Sequence, residues 1–270
     1  MAASMKLNQL NSLKSIHRKL GAVRFAARVW AFPEHKLVYI SNPKAACSTI
    51  KEHMRRLTEM PNITPRDRHR LSTVRVGAIL RKAESKGADL KDCFVFSSVR
   101  DPIRRVISGF NDKFARRNRV EKAFRRKNGI AKDVVIDWPL FVEHLRSTPL
   151  RDLDAHWRPQ HLNLLHGQIH IDRLVRVESL QTDLADVVQG HFPGKTLDEI
   201  HQNASGKKIL SAKDIALREK LTLLRLYAVD YHVYGYGNRW ERLFTLPDYW
   251  SYKRNPARYN ARSLKQRALL

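Results

Sequence analysis

Two strand–loop–helix units in succession predict an α/β protein, a P-loop-like three-layer fold with a central, mostly parallel sheet flanked by helices. The first unit runs through "LVYISNPKAACSTIKEHMRRL" and the second through "FVFSSVRDPIRRVISGFNDKF". Each opens with a short β-branched and aromatic run, breaks at a turn signal, and resumes with apolar residues at helical spacing. No internal repeat or low-complexity linker interrupts the alternation. One main domain is therefore expected over residues 37–245, between a basic amphipathic segment, 1–36, and a basic tail, 246–270.

The elements follow in order. In the N-terminal segment Leu10, Leu13, Ile16, Leu20 and Val23 recur at helical spacing. Such a helix packs on the domain or makes peripheral contact with a membrane surface. Lys, Arg and His interrupt it too often for a signal-peptide core. Residues 37–41 form a strand ending at Asn42-Pro43, a turn signal, and a helix is expected over 47–57. A polar stretch leads to a weaker helical segment, 71–82. The second strand, 94–99, stops at Arg100-Asp101-Pro102, where Pro102 suits the first turn of a helix. Residues 115–132, with "ARRNR" and "FRRKN", read as an exposed helix or a mobile insert. Helices are expected at 138–145, 180–190 and 213–231, with a third strand-like stretch, "IHIDRLVRVESL", at 169–180.

Hydrophobic residues make up 43% of the chain, enough for a globular core. The 51 Lys+Arg against 26 Asp+Glu give a formal charge of +25, which favours polyanions. Nucleic acid, anionic lipid, acidic glycans and nucleotides with several phosphates all qualify, and a solvated basic surface explains part of the surplus. The two cysteines, Cys47 and Cys93, belong to no CxxC or Cys/His cluster, so neither a disulfide framework nor structural zinc is expected. Two buried thiols fit a reducing compartment, and a cytoplasmic location is expected. No run of about 18 apolar residues predicts a transmembrane span. No ligand spacing such as HExxH predicts a metal.

In a parallel sheet, ligands bind beyond the carboxyl ends of the strands. The first strand-to-helix loop brings unpaired helix N–H groups, the Lys44 charge and the Ser48 and Thr49 hydroxyls, with Ala45 and Ala46 leaving the backbone accessible. It contains no glycine, and GxxxxGK[ST] is absent, which disfavours an ATP or GTP hydrolase. Alone, it reads equally as an ordinary βα turn. The second loop shifts the balance. Arg100 sits at a strand end, Ser108 lies two helical turns on, and arginine can grip a phosphate with two parallel hydrogen bonds. Asp101 reads as a helix cap. Arg104 and Arg105 read as solvated. Two phosphate-binding elements on one sheet edge suit a nucleotide with phosphates at both ends of its ribose.

At these residues the chain resembles the PAPS-dependent carbohydrate sulfotransferases of the sulfotransferase 2 family, which includes the HNK-1, dermatan and chondroitin 4-O enzymes. PAPS is 3'-phosphoadenosine 5'-phosphosulfate. "NPKAACSTIK" resembles the family's 5'-phosphosulfate loop and "VRDPIRRVISGFNDKF" its 3'-phosphate motif. "HWRPQ", "YAVDYHVYGY" and "HQNAS" resemble later elements, in the family's order. Ile103 and Ile107 stand in for other apolar residues, and Gly109 for another small one. The Golgi anchor and most of the later cysteines of the animal enzymes are missing, so a soluble bacterial relative is expected.

The resemblance implies a PAPS donor, no metal, and a carbohydrate acceptor. Lys44 would bind the 5'-phosphosulfate and stabilise charge on the bridging oxygen. Ala45, Ala46, Cys47, Ser48 and Thr49 would complete the cradle, and Arg100 and Ser108 would hold the 3'-phosphate. His156, in the "HWRPQ" element, is the candidate general base, since histidine titrates near neutrality. Glu52, His53 and Asp154 are alternatives, and His156 could instead be a packing residue. Arg158, His161 and the basic residues of 116–126 read as an acceptor surface or as a solvated face. Asp230 and its tyrosines read as core and helix-end structure, and Trp138 and Phe141 as packing residues. The competing functions are a P-loop phosphotransferase or nucleotide kinase, and a basic nucleic-acid-binding protein. The first lacks a magnesium-binding acid pair and the second any reader motif, so nucleic acid is disfavoured as a partner.

Overall fold

The computed structural model describes residues 29–32, 35–59, 93–114, 119–197 and 210–267. Four strands, β1 (Val29–Phe32), β2 (Leu37–Ile40), β3 (Phe94–Val99) and β4 (Arg173–Arg176), are described. The described helices are α1 (Cys47–Leu57), α2 (Pro102–Phe114), α3 (Arg119–Asn128), α4 (Trp138–Ser147), α5 (Gln160–Asn163) and α6 (Leu180–His191). They continue with α7 (Leu217–Leu226), α8 (Ala228–Val233), α9 (Arg239–Arg254), α10 (Pro256–Asn260) and α11 (Leu264–Arg267). The chain divides into two compact units that interleave in sequence: Met1–Val99 with Leu164–Gln202, and Arg100–Asn163 with Asn203–Leu270.

The first unit holds the sheet, in the order β1-β2-β3-β4. β1 is antiparallel to β2, whereas β2, β3 and β4 run parallel, with Ile40 opposite Ser97 and Val99 opposite Arg176. All three parallel strands therefore end at one edge. The sheet is buried on both faces, with Val38, Ile40 and Val95 on one side and Leu37, Tyr39 and Phe96 on the other. That is why its strands read as continuous apolar runs. Ile50 and Met54 of α1 and Leu184, Val187 and Val188 of α6 share a core with Tyr39, Phe96 and Val175.

The second unit is helical, around an aromatic core. Phe110 of α2 and Phe141 of α4 lie 5.2 Å apart, and the Trp157 ring stands nearly perpendicular to Phe141 at 5.2 Å. The charged 115–132 stretch contributes to that core. Its helix α3 buries Phe124 against Phe141 and Trp157, so it is a packed helix with one solvated face. Asp137 caps α4, accepting from the Leu140 N–H at 2.9 Å, with Pro139 in the first turn.

The α/β class and the mostly parallel sheet flanked by helices are as the sequence predicts. Three elements differ in detail. Val29–Phe32 form β1, although they sit within the expected N-terminal segment; four residues are too few to reveal a period. The stretch 169–180 yields only β4, because a 3₁₀ turn at Val177–Ser179 ends it. The expected helix 213–231 is two helices, parted at Tyr227. The amphipathic positions 10–23 and the helical segment 71–82 lie outside the described residues.

Candidate active site

The loop between β2 and α1 turns without glycine by placing two other residues in the left-handed region, Lys44 at φ 66° and Ala46 at φ 56°. These two residues bracket Ala45, whose N–H donates to the Asn42 carbonyl at 3.2 Å and closes the turn just ahead of α1. The arrangement costs about 1–2 kcal/mol at each such residue, so something must hold it. Ser98 of β3 does. Its hydroxyl donates to the Ala45 carbonyl, and its own carbonyl accepts from Asn42 Nδ2 at 2.9 Å. The Tyr39 hydroxyl lies 3.2 Å from Ser98 Oγ, whose proton is committed to Ala45, so tyrosine is the donor. Burial raises the Tyr39 pKa far above its usual value, which keeps that proton in place. Ala45 is fully buried, while Lys44, Ala46, Cys47, Ser48 and Thr49 are partly accessible.

Of the alternative bases on α1, Glu52 is buried and accepts from Arg55 at 2.7 Å and Arg56 at 3.2 Å, and His53 is also buried. Lys51 is buried as well, 5.3 Å from the Trp30 ring centre, and burial lowers its pKa.

The second unit gathers Arg100, helix α2 and the 153–163 loop. Gln160 brackets the Arg100 main chain: its Oε1 accepts from the Arg100 N–H at 3.0 Å and its Nε2 donates to the Arg100 carbonyl at 2.8 Å. Asp101 caps α2 as expected, accepting from the Arg104 N–H at 2.8 Å. Arg105, expected to be solvated, is instead fully buried. It donates to the Arg158 and Ala155 carbonyls, both at 2.8 Å. The reason is its place in the helical period, on the inner side of α2 between Pro102 and Gly109. Gly109 in turn lies against the His156 main chain. Ser108 is partly accessible on α2.

His156 Nδ1 sits 2.6 Å from Asp154 Oδ1, and the same carboxylate accepts the His156 N–H at 2.9 Å. Burial opposes ionisation of Asp154, but the His156 hydrogen bond and charge, with Arg158, hold its pKa below the usual value. A carboxylate on Nδ1 fixes the orientation of the ring, which is itself partly accessible. Asp230 is structural, as expected: fully buried, it accepts from the Gln160 and His161 N–H groups and from His161 Nδ1. That places His161 in the core rather than on an acceptor surface. Tyr227 donates to the Trp157 carbonyl at 2.6 Å.

Lys44 to Thr49 thus belong to the first unit, and Arg100, Ser108 and His156 to the second. Sequence reasoning missed the Arg105 clamp and the Gln160 bracket. The helical period would have flagged Arg105; Gln160 carries no local signal, since its partner is 60 residues away. Among the described residues no group of three or more His, Cys, Asp or Glu is placed to hold a metal. No helix among them is long and apolar enough to cross a membrane.

A family model described as the sulfotransferase family matches residues 27–237. The chain belongs to the sulfotransferase family. It is similar to carbohydrate sulfotransferase 8 of Mus musculus, 23% identical over 266 residues, covering 85% of this chain and 61% of that protein. It is also similar to carbohydrate sulfotransferase 9 of Homo sapiens, 23% identical over 251 residues, covering 82% and 55% respectively. The chain therefore spans between half and two-thirds of the length of these relatives. No solved structure matches it. In this sulfotransferase-family chain the matched span contains the β2–α1 loop, Arg100, Ser108, the Asp154–His156 pair and Asp230, and it ends just before α9.

Proposed function

We propose that the protein moves a sulfuryl group from PAPS to a hydroxyl of a carbohydrate acceptor, by in-line transfer. The β2–α1 loop carries this reading. Left-handed backbone at Lys44 and Ala46, held from behind by Ser98, opens directly onto the start of α1. Membership of the sulfotransferase family supports it, as do relatives named carbohydrate sulfotransferases.

PAPS supplies the sulfuryl group and a phosphate leaving group. The N–H groups at the start of α1 and the Ser48 and Thr49 hydroxyls suit its 5' end, and Lys44 balances charge developing on the bridging oxygen. Arg100 and Ser108 hold the 3'-phosphate, with Gln160 fixing the Arg100 main chain. His156, oriented by Asp154, takes the proton of the acceptor hydroxyl. A positioned base of this kind contributes ~10²–10⁴-fold.

Calorimetry with PAP, the 3',5'-bisphosphate product, tests the reading, with ATP as competitor. Wild type should bind PAP and discriminate against ATP. Lys44→Ala and Arg100→Ala should each weaken PAP at least about tenfold, since each removes a charge-assisted contact. Equal affinity for ATP, or PAP binding indifferent to both substitutions, sinks the proposal.

A further inference from the structure

Helix α9 carries an exposed apolar face. It starts at a capping box, with the Glu241 N–H donating to Asn238 Oδ1 at 2.9 Å and the Asn238 N–H to Glu241 Oε2 at 3.1 Å. One side, with Thr245, Asp248 and Tyr252, is buried. On the other, Trp240, Leu243, Phe244, Pro247 and Trp250 recur at helical spacing. Trp240 is 51% exposed, Leu243 59% and Trp250 55%, and Phe244 stacks on Trp240 at 5.4 Å. Three of the six large hydrophobics that the described residues expose thus lie on one helix face. Exposed apolar residues scattered singly need no explanation; a continuous stripe does.

The charges around the stripe are sorted by sign. Arg239, Arg242, Lys253 and Arg254 are exposed on the same helix. Both acids of α9 are turned inward and neutralised: Glu241 pairs with Lys220 at 2.9 Å, and Asp248 with Arg225 at 3.0 Å and Arg267 at 3.2 Å. No exposed residue of α9 is acidic.

We propose that α9 docks the protein on an anionic lipid surface, with the Trp240–Trp250 face in the headgroup boundary and the flanking arginines and lysines on lipid phosphates. A helix that lies in a membrane interface has this composition: Trp, Phe and Leu on one face and Lys and Arg beside them. Basic residues near an anionic surface are attracted to it, and the formal +25 of the chain adds attraction at longer range. Charge complementarity selects this occupant over a second copy of the chain, because packing α9 on itself sets like charges against each other. It is favoured over a glycan because Leu243 and Pro247 fill the space between the indoles with apolar surface and offer no hydrogen bonds to hydroxyls. The site lies in sequence beyond the matched residues 27–237 and apart from segment 1–36, whose amphipathic pattern reads as packing on the domain or as peripheral membrane contact.

The test is co-sedimentation of the full chain with vesicles of phosphatidylcholine alone and of equimolar phosphatidylcholine and phosphatidylglycerol. Neither sulfuryl donor nor acceptor is present, so the result stands apart from the transfer reaction. Wild type should bind the phosphatidylglycerol vesicles and leave the neutral ones, and salt should release it. Leu243→Ser with Trp250→Ser should weaken binding about tenfold, and Arg239→Glu with Arg242→Glu by a similar factor. These side chains are exposed, so circular dichroism should match wild type. Failure to bind, equal binding to neutral vesicles, or binding unaltered in both double variants overturns the proposal. So does a face that, without vesicle binding, proves to hold an acidic polysaccharide or a second copy of the chain, read by gel mobility and by light scattering.

Discussion

Gly109 of α2 packs against the main chain of His156: a Cβ at Gly109 would lie 3.1 Å from the His156 carbonyl oxygen. This closeness joins the helix that carries Ser108 to the loop that carries the proposed base. A side chain at position 109 would therefore require the His156 main chain to give by a few tenths of an ångström.

Gly109→Ala should therefore destabilise the protein, although alanine is the better helix former by ~1 kcal/mol. The His156 loop cannot retreat, because Arg105, Asn163 and Tyr227 hold its carbonyls. A net loss of about 1 kcal/mol is expected in urea unfolding, overpacking outweighing propensity. A variant as stable as wild type would show that the loop can yield.

Arg105→Ala should be the most damaging substitution on α2. It leaves the Ala155 and Arg158 carbonyls without the buried guanidinium that serves both. A loss of about 3 kcal/mol or more is expected. Arg104→Ala, on the exposed side, should stay within about 0.5 kcal/mol. Denaturation midpoints of the pair decide it; equal effects would contradict the clamp.

Asp154→Asn separates orientation from binding. The proposed role of Asp154 is to hold His156 through Nδ1, so kcat should fall by ~10–100-fold while PAP affinity is unchanged. The pH profile should change along with kcat, as a role in stability alone would not require. Unaltered kcat and pH profile would remove the pair from the proposed chemistry.

His144 gives stability a dependence on pH. Burial, with the Lys127 charge nearby, lowers its pKa from 6.5 to about 4. Between those values the unfolded chain binds a proton that the folded chain refuses, so this contribution is complete above about pH 6.5 and lost as pH falls toward 4. With the ring partly exposed, screening limits the loss to roughly 1–2 kcal/mol. Urea midpoints from neutral to acid pH should fall more steeply in wild type than in His144→Gln. Parallel profiles would exclude His144 as the source.

Much of the framework was legible in the sequence because local rules govern it. Pro102 and Asp101 mark the start of α2, and Asn42-Pro43 the end of β2. The spacing of Ile50, Met54 and Leu57 marks α1. Each signal acts within a few residues, where backbone sterics and capping hydrogen bonds operate. The residues proposed for the phosphate site were singled out by the same local signals, Lys44 to Thr49 and Arg100 at strand-to-helix turns and Ser108 two helical turns into α2.

Long-range closure decided the rest. The left-handed backbone at Lys44 and Ala46 depends on Ser98, 53 residues from Ala45, and the inward turn of Arg105 on Ala155, 50 residues away. The dual face of α9 emerged only when Asp248 found Arg225 and Arg267 inside and left the tryptophans outside. By itself the sequence determined elements such as β2, β3, α1, α2, α4 and α6, because that choice is made by neighbours along the chain. Tertiary structure alone decided which charges are buried and which apolar residues stay exposed, because those energies depend on groups that meet only after the chain has closed.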